Sequence, residues 1–182
     1  VGGIIGYETG SSSYLNNNYN VNTGTITGES FVAGIIGYAG TKYLSLGGCA
    51  NYGEIRATEG AVGLISNSSS SNQITICGCL SVGSEAVTSI CYVVDANAAI
   101  TYSIYDNTIL DVDDVNIKGS SGGGVFGYAT EVLINGDVLE EFEDGCGVDA
   151  YSFAEGRYPI PNIENDLPDG YWEKIVVSVT RQ

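Results

Sequence analysis

Apolar residues along this chain come in short alternating runs separated by clusters of Gly, Ser and Asn. In Tyr43-Leu44-Ser45-Leu46-Gly47 the two leucines fall on one face of an extended segment, while Ser45 and Gly47 fall on the other. Gln73-Ile74-Thr75-Ile76-Cys77 repeats the pattern, with Ile74 and Ile76 standing where Leu44 and Leu46 stood. This period of two predicts half-buried β-strands. Polar clusters such as Ser11-Ser12-Ser13 and Asn67-Ser68-Ser69-Ser70-Ser71-Asn72 predict the turns between them.

The runs recur. Val1-Gly2-Gly3-Ile4-Ile5-Gly6-Tyr7 returns as Val32-Ala33-Gly34-Ile35-Ile36-Gly37-Tyr38 and as Gly122-Gly123-Gly124-Val125-Phe126-Gly127-Tyr128. Two worn copies lie between, Ala61-Val62-Gly63-Leu64-Ile65-Ser66 and Val87-Thr88-Ser89-Ile90-Cys91-Tyr92. A fixed period of roughly 30 residues predicts stacked coils or blades. Five units follow, at about 1–31, 32–60, 61–86, 87–121 and 122–157, with Val132-Leu133-Ile134 continuing the fifth.

In a stack of coils each repeat position becomes a column of like side chains. One column would hold Ile4, Ile35, Leu64, Ile90 and Val125, and the next Ile5, Ile36, Ile65, Cys91 and Phe126. Adjacent residues of a strand face opposite ways, so both columns share one interior only if a bulge intervenes. Otherwise the second face needs a cover from the C-terminal segment, a neighbouring sheet or a partner. The glycines Gly3, Gly34, Gly63 and Gly124 suit corners or close approaches. From Tyr158 the composition changes, and Tyr171 to Val179 ends the chain on another alternating run, so 158–182 is expected to cap the open end. Val1 lies inside a repeat with no equivalent cap before it, which predicts a fragment whose repeats continue upstream.

Composition narrows the role. At 182 residues and 43% hydrophobic the chain suits one domain. Six basic residues against 22 acidic ones, with no His, give a net charge of -16, which disfavours nucleic acid and anionic membranes as partners. No apolar run is long enough for a membrane span, and the first residues do not read as a signal peptide. The abundance of Gly and Tyr, without Met, suits a turn-rich secreted β-protein. Five cysteines lack the spacing of a zinc site. Cys49 and Cys79 fall at one repeat position, which reads as a buried column of small side chains, with a disulfide as the alternative. No helix-forming run or P-loop Lys accompanies the glycine-rich stretches, so phosphate cradling is not expected.

The repeated Gly-Gly-Ile-Ile-Gly-Tyr, with Asn22-Thr23-Gly24-Thr25-Ile26 and Asn51-Tyr52-Gly53-Glu54-Ile55 downstream, resembles the GLUG-motif repeats of bacterial surface proteins. The resemblance covers residues 1 to about 136 and is strongest in the first, second and fifth units. It implies an all-β fold, a parallel β-solenoid (β-helix) of about five coils, in an extracellular, adhesin-like, cell-surface protein. It implies no catalytic residues.

The leading expectation is therefore a non-catalytic structural or adhesive module, acting as a stalk or binding a host or matrix protein or glycan. Tyr7, Tyr38 and Tyr128 recur at one repeat position and could stack on sugar rings, or else pack on each other or on the cap. The alternative is a polysaccharide-degrading β-helix enzyme working with paired carboxylates, drawn from Asp111, Asp113 and Asp114 or from Glu140, Glu141, Glu143 and Asp144. Asp111, Asp113 and Asp114 could instead hold calcium through hard oxygen ligands, although no EF-hand loop or nonapeptide calcium repeat is present. The simpler reading of both clusters is solvated loop charge.

Overall fold

A computed structural model describes residues 1–8, 14–68, 73–84, 90, 98–110, 124–146 and 151–162. The fold is all-β in class, built of short parallel sheets with two short helices. After an opening segment at 1–8, the first unit contains β1 (Tyr14–Asn18), β2 (Val21–Asn22) and β3 (Ile26–Gly28). The second runs through β4 (Val32–Ala33), β5 (Ile36–Ala39), β6 (Tyr43–Gly47), β7 (Ala50–Asn51) and β8 (Ile55–Ala57). The third holds β9 (Ala61–Val62), β10 (Ile65–Ser68), β11 (Gln73–Cys77) and β12 (Leu80–Ser81). Then come β13 (Ala98–Thr101), β14 (Ser103–Asp106) and β15 (Val125–Tyr128). Helices α1 (Thr130–Asn135) and α2 (Leu139–Cys146) and the antiparallel pair β16 (Tyr151–Ser152) and β17 (Ile160–Pro161) complete the described chain.

Equivalent strands of successive units lie side by side and parallel, in the orders β1-β6-β11-β13 and β2-β7-β12-β14-β15, with pairs β5-β10, β3-β8 and β4-β9. Leu15, Leu44, Ile74 and Ala98 are register partners in turn, as are Asn17, Leu46, Ile76 and Ile100. The alternation expected in β6 and β11 is present, for Leu44, Leu46, Ile74 and Ile76 are all buried.

The two isoleucine columns share one interior through a corner, without a bulge. Gly34 and Ile35 form a bend between β4 and β5, so Ile35 and Ile36 leave the backbone on either side of a turn and both enter the main core with Leu64 and Ile65. At Gly34 the next unit and the far side of its own unit approach so closely that a Cβ would sit 2.3 Å from the carbonyl oxygen of Gly63 and 2.4 Å from the Asn51 side chain. A second corner follows each long strand, at Tyr19, Gly48, Gly78 and Tyr102, all in the left-handed region with φ between 49° and 58°. Glycine occupies two of these positions without strain, whereas Tyr102 divides β13 from β14 in a stretch the sequence presents as one run.

Beyond the third unit the structure departs from the sequence reading. The first four residues of the Ile4 column are joined as expected, since each of Ile4, Ile35 and Leu64 donates its N–H to the carbonyl of the next, ending at Ile90. Val125 and Phe126 are elsewhere. Strand β15 pairs with β14, Phe126 opposite Ile104 and Tyr128 opposite Asp106, so the last Gly-Tyr copy belongs to the five-stranded sheet. Sequence likeness alone does not set register, and with shorter spacings beyond β12 this copy falls in the β7 column, two strand positions past that of β5. Leu80 to Ile104 is 24 residues and Ile104 to Phe126 is 22, against 29 from Ile36 to Ile65.

Val132-Leu133-Ile134, expected to continue the fifth unit, lies on α1, which Gly136 ends at φ 88° in the left-handed cap position. Helix α2 turns Phe142 inward beside Val138 and leaves Glu140, Glu143 and Asp144 exposed. Both helices and the β16-β17 pair cover the outer face of the five-stranded sheet, packing Leu133, Val138, Phe142, Tyr151 and Tyr158 on Ala50, Leu80 and Ile104. Residues 158–162, expected to begin an end cap, thus lie along the flank; the remainder of that segment, including Trp172, is outside the described residues.

Candidate functional site

Three side-chain systems stand out from simple packing, two buried and one exposed. The first buried one centres on Asp106, which is fully inaccessible at the end of β14. Its Oδ1 accepts the N–H groups of Thr108 (2.8 Å) and Ile109 (3.3 Å), and its Oδ2 accepts the hydroxyls of Thr130 (2.6 Å) and Tyr158 (2.5 Å). One carboxylate therefore ties the sheet to the start of α1 and to the C-terminal pair. Burial, the hydrogen bond to Asp106 and its negative charge all push the Tyr158 phenol well above the usual tyrosine range, so Tyr158 stays a donor. With its lone pairs engaged and no route to solvent, Asp106 suits structure and not catalysis.

A second buried polar row faces Gly34. Asn22 Nδ2 donates to Asn51 Oδ1 at 2.7 Å, and Asn51 Nδ2 donates to the Gly53 carbonyl at 3.0 Å. The Asn-x-Gly sequences thus form turns whose amides also join one unit to the next.

The exposed system is aromatic. Tyr7 stacks on Tyr38 with ring centroids 4.8 Å apart and planes at 17°, and Phe31 meets Tyr38 edge-on at 6.2 Å. Tyr14 likewise stacks on Tyr43 at 4.4 Å, with Lys42 Nζ 5.1 Å from the Tyr43 ring. These rings remain accessible: Tyr7 is 69% exposed, Tyr14 72% and Phe31 47%. Parallel register produces both stacks, because Tyr14 is the partner of Tyr43 and the segment before Tyr7 bridges to β5 through Ile5 and Ile36.

Phe31 also walls a hollow of about 270 Å³ with Ser30, Glu59, Gly60 and Ser66. It occupies the corner before β4 with φ at 51°, as Gly60 does before β9 at φ 66°. A bulky aromatic in that conformation is strained, and strain of this kind is worth testing for function. The hollow offers an aromatic face, two hydroxyls and a carboxylate.

Of the expected site residues, Tyr7 and Tyr38 come together as a stack. Tyr128 does not join them; it lies on β15 and packs with the cluster under the helices. Asp111, Asp113 and Asp114 fall outside the described residues. Among the described residues no group of three potential metal-ligating side chains converges. Phe31, Glu59 and Asp106 were not singled out from the sequence, although Asp106-Asn107-Thr108 carries a recognisable Asx-turn signal. The chain matches no protein-family model, no curated protein and no solved structure.

Proposed function

We propose that the chain is a parallel β-solenoid module of a bacterial cell-surface protein, of the GLUG-repeat kind, which acts as a rigid stalk and binds glycan without turning it over. The repeat pairing of strands, unit beside unit, supports the solenoid reading, and the motifs at 1–7, 32–38, 22–26 and 51–55 support the family. The observation that carries the binding role is the aromatic group of exposed Tyr7 and Phe31 with half-buried Tyr38, beside the hollow at Glu59.

A pyranose has an apolar C–H face and a rim of hydroxyls. Aromatic rings receive the first, while Ser30, Ser66 and Glu59 suit the second. A net charge of -16 favours neutral or amino sugars over sialylated and sulfated ones. An array of neutral and anionic glycans, probed with the chain and its Phe31→Ala and Tyr38→Ala variants, tests this. Binding to neutral glycans that falls at least about tenfold in both variants, with no product released from the glycan, is expected. Unchanged binding in both would overturn the assignment of the site.

A further inference from the structure

Cys49 and Cys79 occupy one repeat position in successive units. Ala50 and Leu80, the residues that follow them, are register partners, and Leu80 donates its N–H to the Cys49 carbonyl at 2.9 Å. Neighbouring parallel strands hold partners about 4.8 Å apart, within the ~4.4–6.8 Å Cα separation that a disulfide spans. Both side chains are fully buried thiols, and Cys79 Sγ donates to the Cys77 carbonyl at 3.5 Å. Cys49 Sγ also donates to the Asn17 carbonyl at 3.1 Å. Along this column Asn20 precedes Cys49 and Ser103 follows Cys79, so only the junction of the second and third units places two thiols face to face. Cys77 lies opposite Gly47 and Thr101 in register.

We propose that Cys49 and Cys79 form a disulfide staple under oxidising conditions, tying the second unit covalently to the third. The co-reactant is a low-molecular-weight disulfide such as oxidised glutathione. The Cys49 thiolate attacks one of its sulfurs, forming a mixed disulfide and releasing one thiolate, which takes up a proton. Cys79 then loses its proton and attacks the Cys49 sulfur, displacing the second small thiolate. In sum the protein gives up two protons and two electrons, and one small disulfide becomes two small thiols. Both sulfurs are closed off in the folded chain, so exchange takes place while the units are still apart, and the finished bond is shielded from reductant.

The test is to refold the full chain in a reduced and oxidised glutathione mixture, block remaining thiols under denaturing conditions, and map cross-linked peptides by mass spectrometry. A peptide joining Cys49 to Cys79 is expected, with the intact mass lowered by two hydrogens. Closing a loop between residues 30 positions apart should raise Tm by about 10 °C over the reduced chain, an increase absent in Cys49→Ala and Cys79→Ala. Mapping needs no variant and stands if either substitution prevents folding. Recovery of both cysteines alkylated, or of either one bonded to a different cysteine, would overturn the proposal. A Cys49–Cys79 bond that lowers Tm would overturn the staple.

Discussion

Asp106 is the point at which the flank cover is most open to a single substitution. Four donors converge on its carboxylate, two of them side-chain hydroxyls from α1 and from the segment before β17. A hydrogen bond to a charged group is worth about 1.5–3 kcal/mol, but four sharing one acceptor are not additive. Asp106→Ala strands all four donors in a site without solvent and should cost about 4 kcal/mol. Asp106→Asn keeps an oxygen for the Thr108 and Ile109 amides and replaces Oδ2 by an amide nitrogen, which cannot accept from Tyr158 or Thr130. Both hydroxyls can turn to accept from it, so the loss should be about 2 kcal/mol. For a chain of this length the two changes correspond to falls in Tm of roughly 12 °C and 6 °C. Urea unfolding followed by circular dichroism gives the free energies, and a cycle with Tyr158→Phe isolates the pair. A coupling of about 1–2 kcal/mol is expected. Asp106→Ala unfolding within about 1 kcal/mol of the parent, or a coupling of zero, would refute the reasoning.

Other substitutions probe other parts. Tyr158 is held protonated in the folded chain, so its stabilisation is complete below the unfolded tyrosine value of 10.0 and is lost as pH rises above it. Urea midpoints measured from pH 8 to 11 should therefore fall more steeply for the parent than for Tyr158→Phe; identical slopes would contradict this. Gly34→Ala drives a Cβ into the Gly63 carbonyl and Asn51, and should cost more than about 3 kcal/mol or prevent folding, read from the same unfolding curves. Phe31→Gly relieves a left-handed residue while removing the aromatic wall. It should raise stability by about 1 kcal/mol and abolish glycan binding, separating the two effects that an alanine variant mixes.

Local pattern made the strands readable in advance, because Leu44, Leu46, Ile74 and Ile76 alternate on a face that a one-residue slip would expose. The repeated Ile-Ile pair was also readable, but its geometry was not. Two adjacent buried residues cannot share one face of a straight strand, and the corner at Gly34-Ile35 that reconciles them is a backbone feature without a period of its own. In the last Gly-Tyr copy, identity of motif does not carry identity of place. Its register depends on how many residues the intervening units spend between corners, and Tyr102 supplies a left-handed corner where no glycine announces one.

The helices carried a signal that the surrounding strand repeat obscured. Val138 and Phe142 are four apart with carboxylates between and after them, the spacing of one helical face. The aromatic site was half visible. Tyr7 and Tyr38 follow from the repeat, whereas Phe31 joins them only because the chain turns beside Tyr38.

Stacking of unit on unit in parallel register is most directly tested at Thr27 and Arg56, exposed partners on β3 and β8 that are 29 residues apart in sequence. Spin labels carried there on bio-orthogonal side chains leave the native cysteines untouched, and electron paramagnetic resonance reads their separation. Backbones about 5 Å apart should give strong dipolar broadening for this pair, and weaker broadening when the second label is moved to position 59. Spectra equal to the sum of the two single-label spectra would contradict the stacked arrangement on which the glycan site and the cysteine staple both rest.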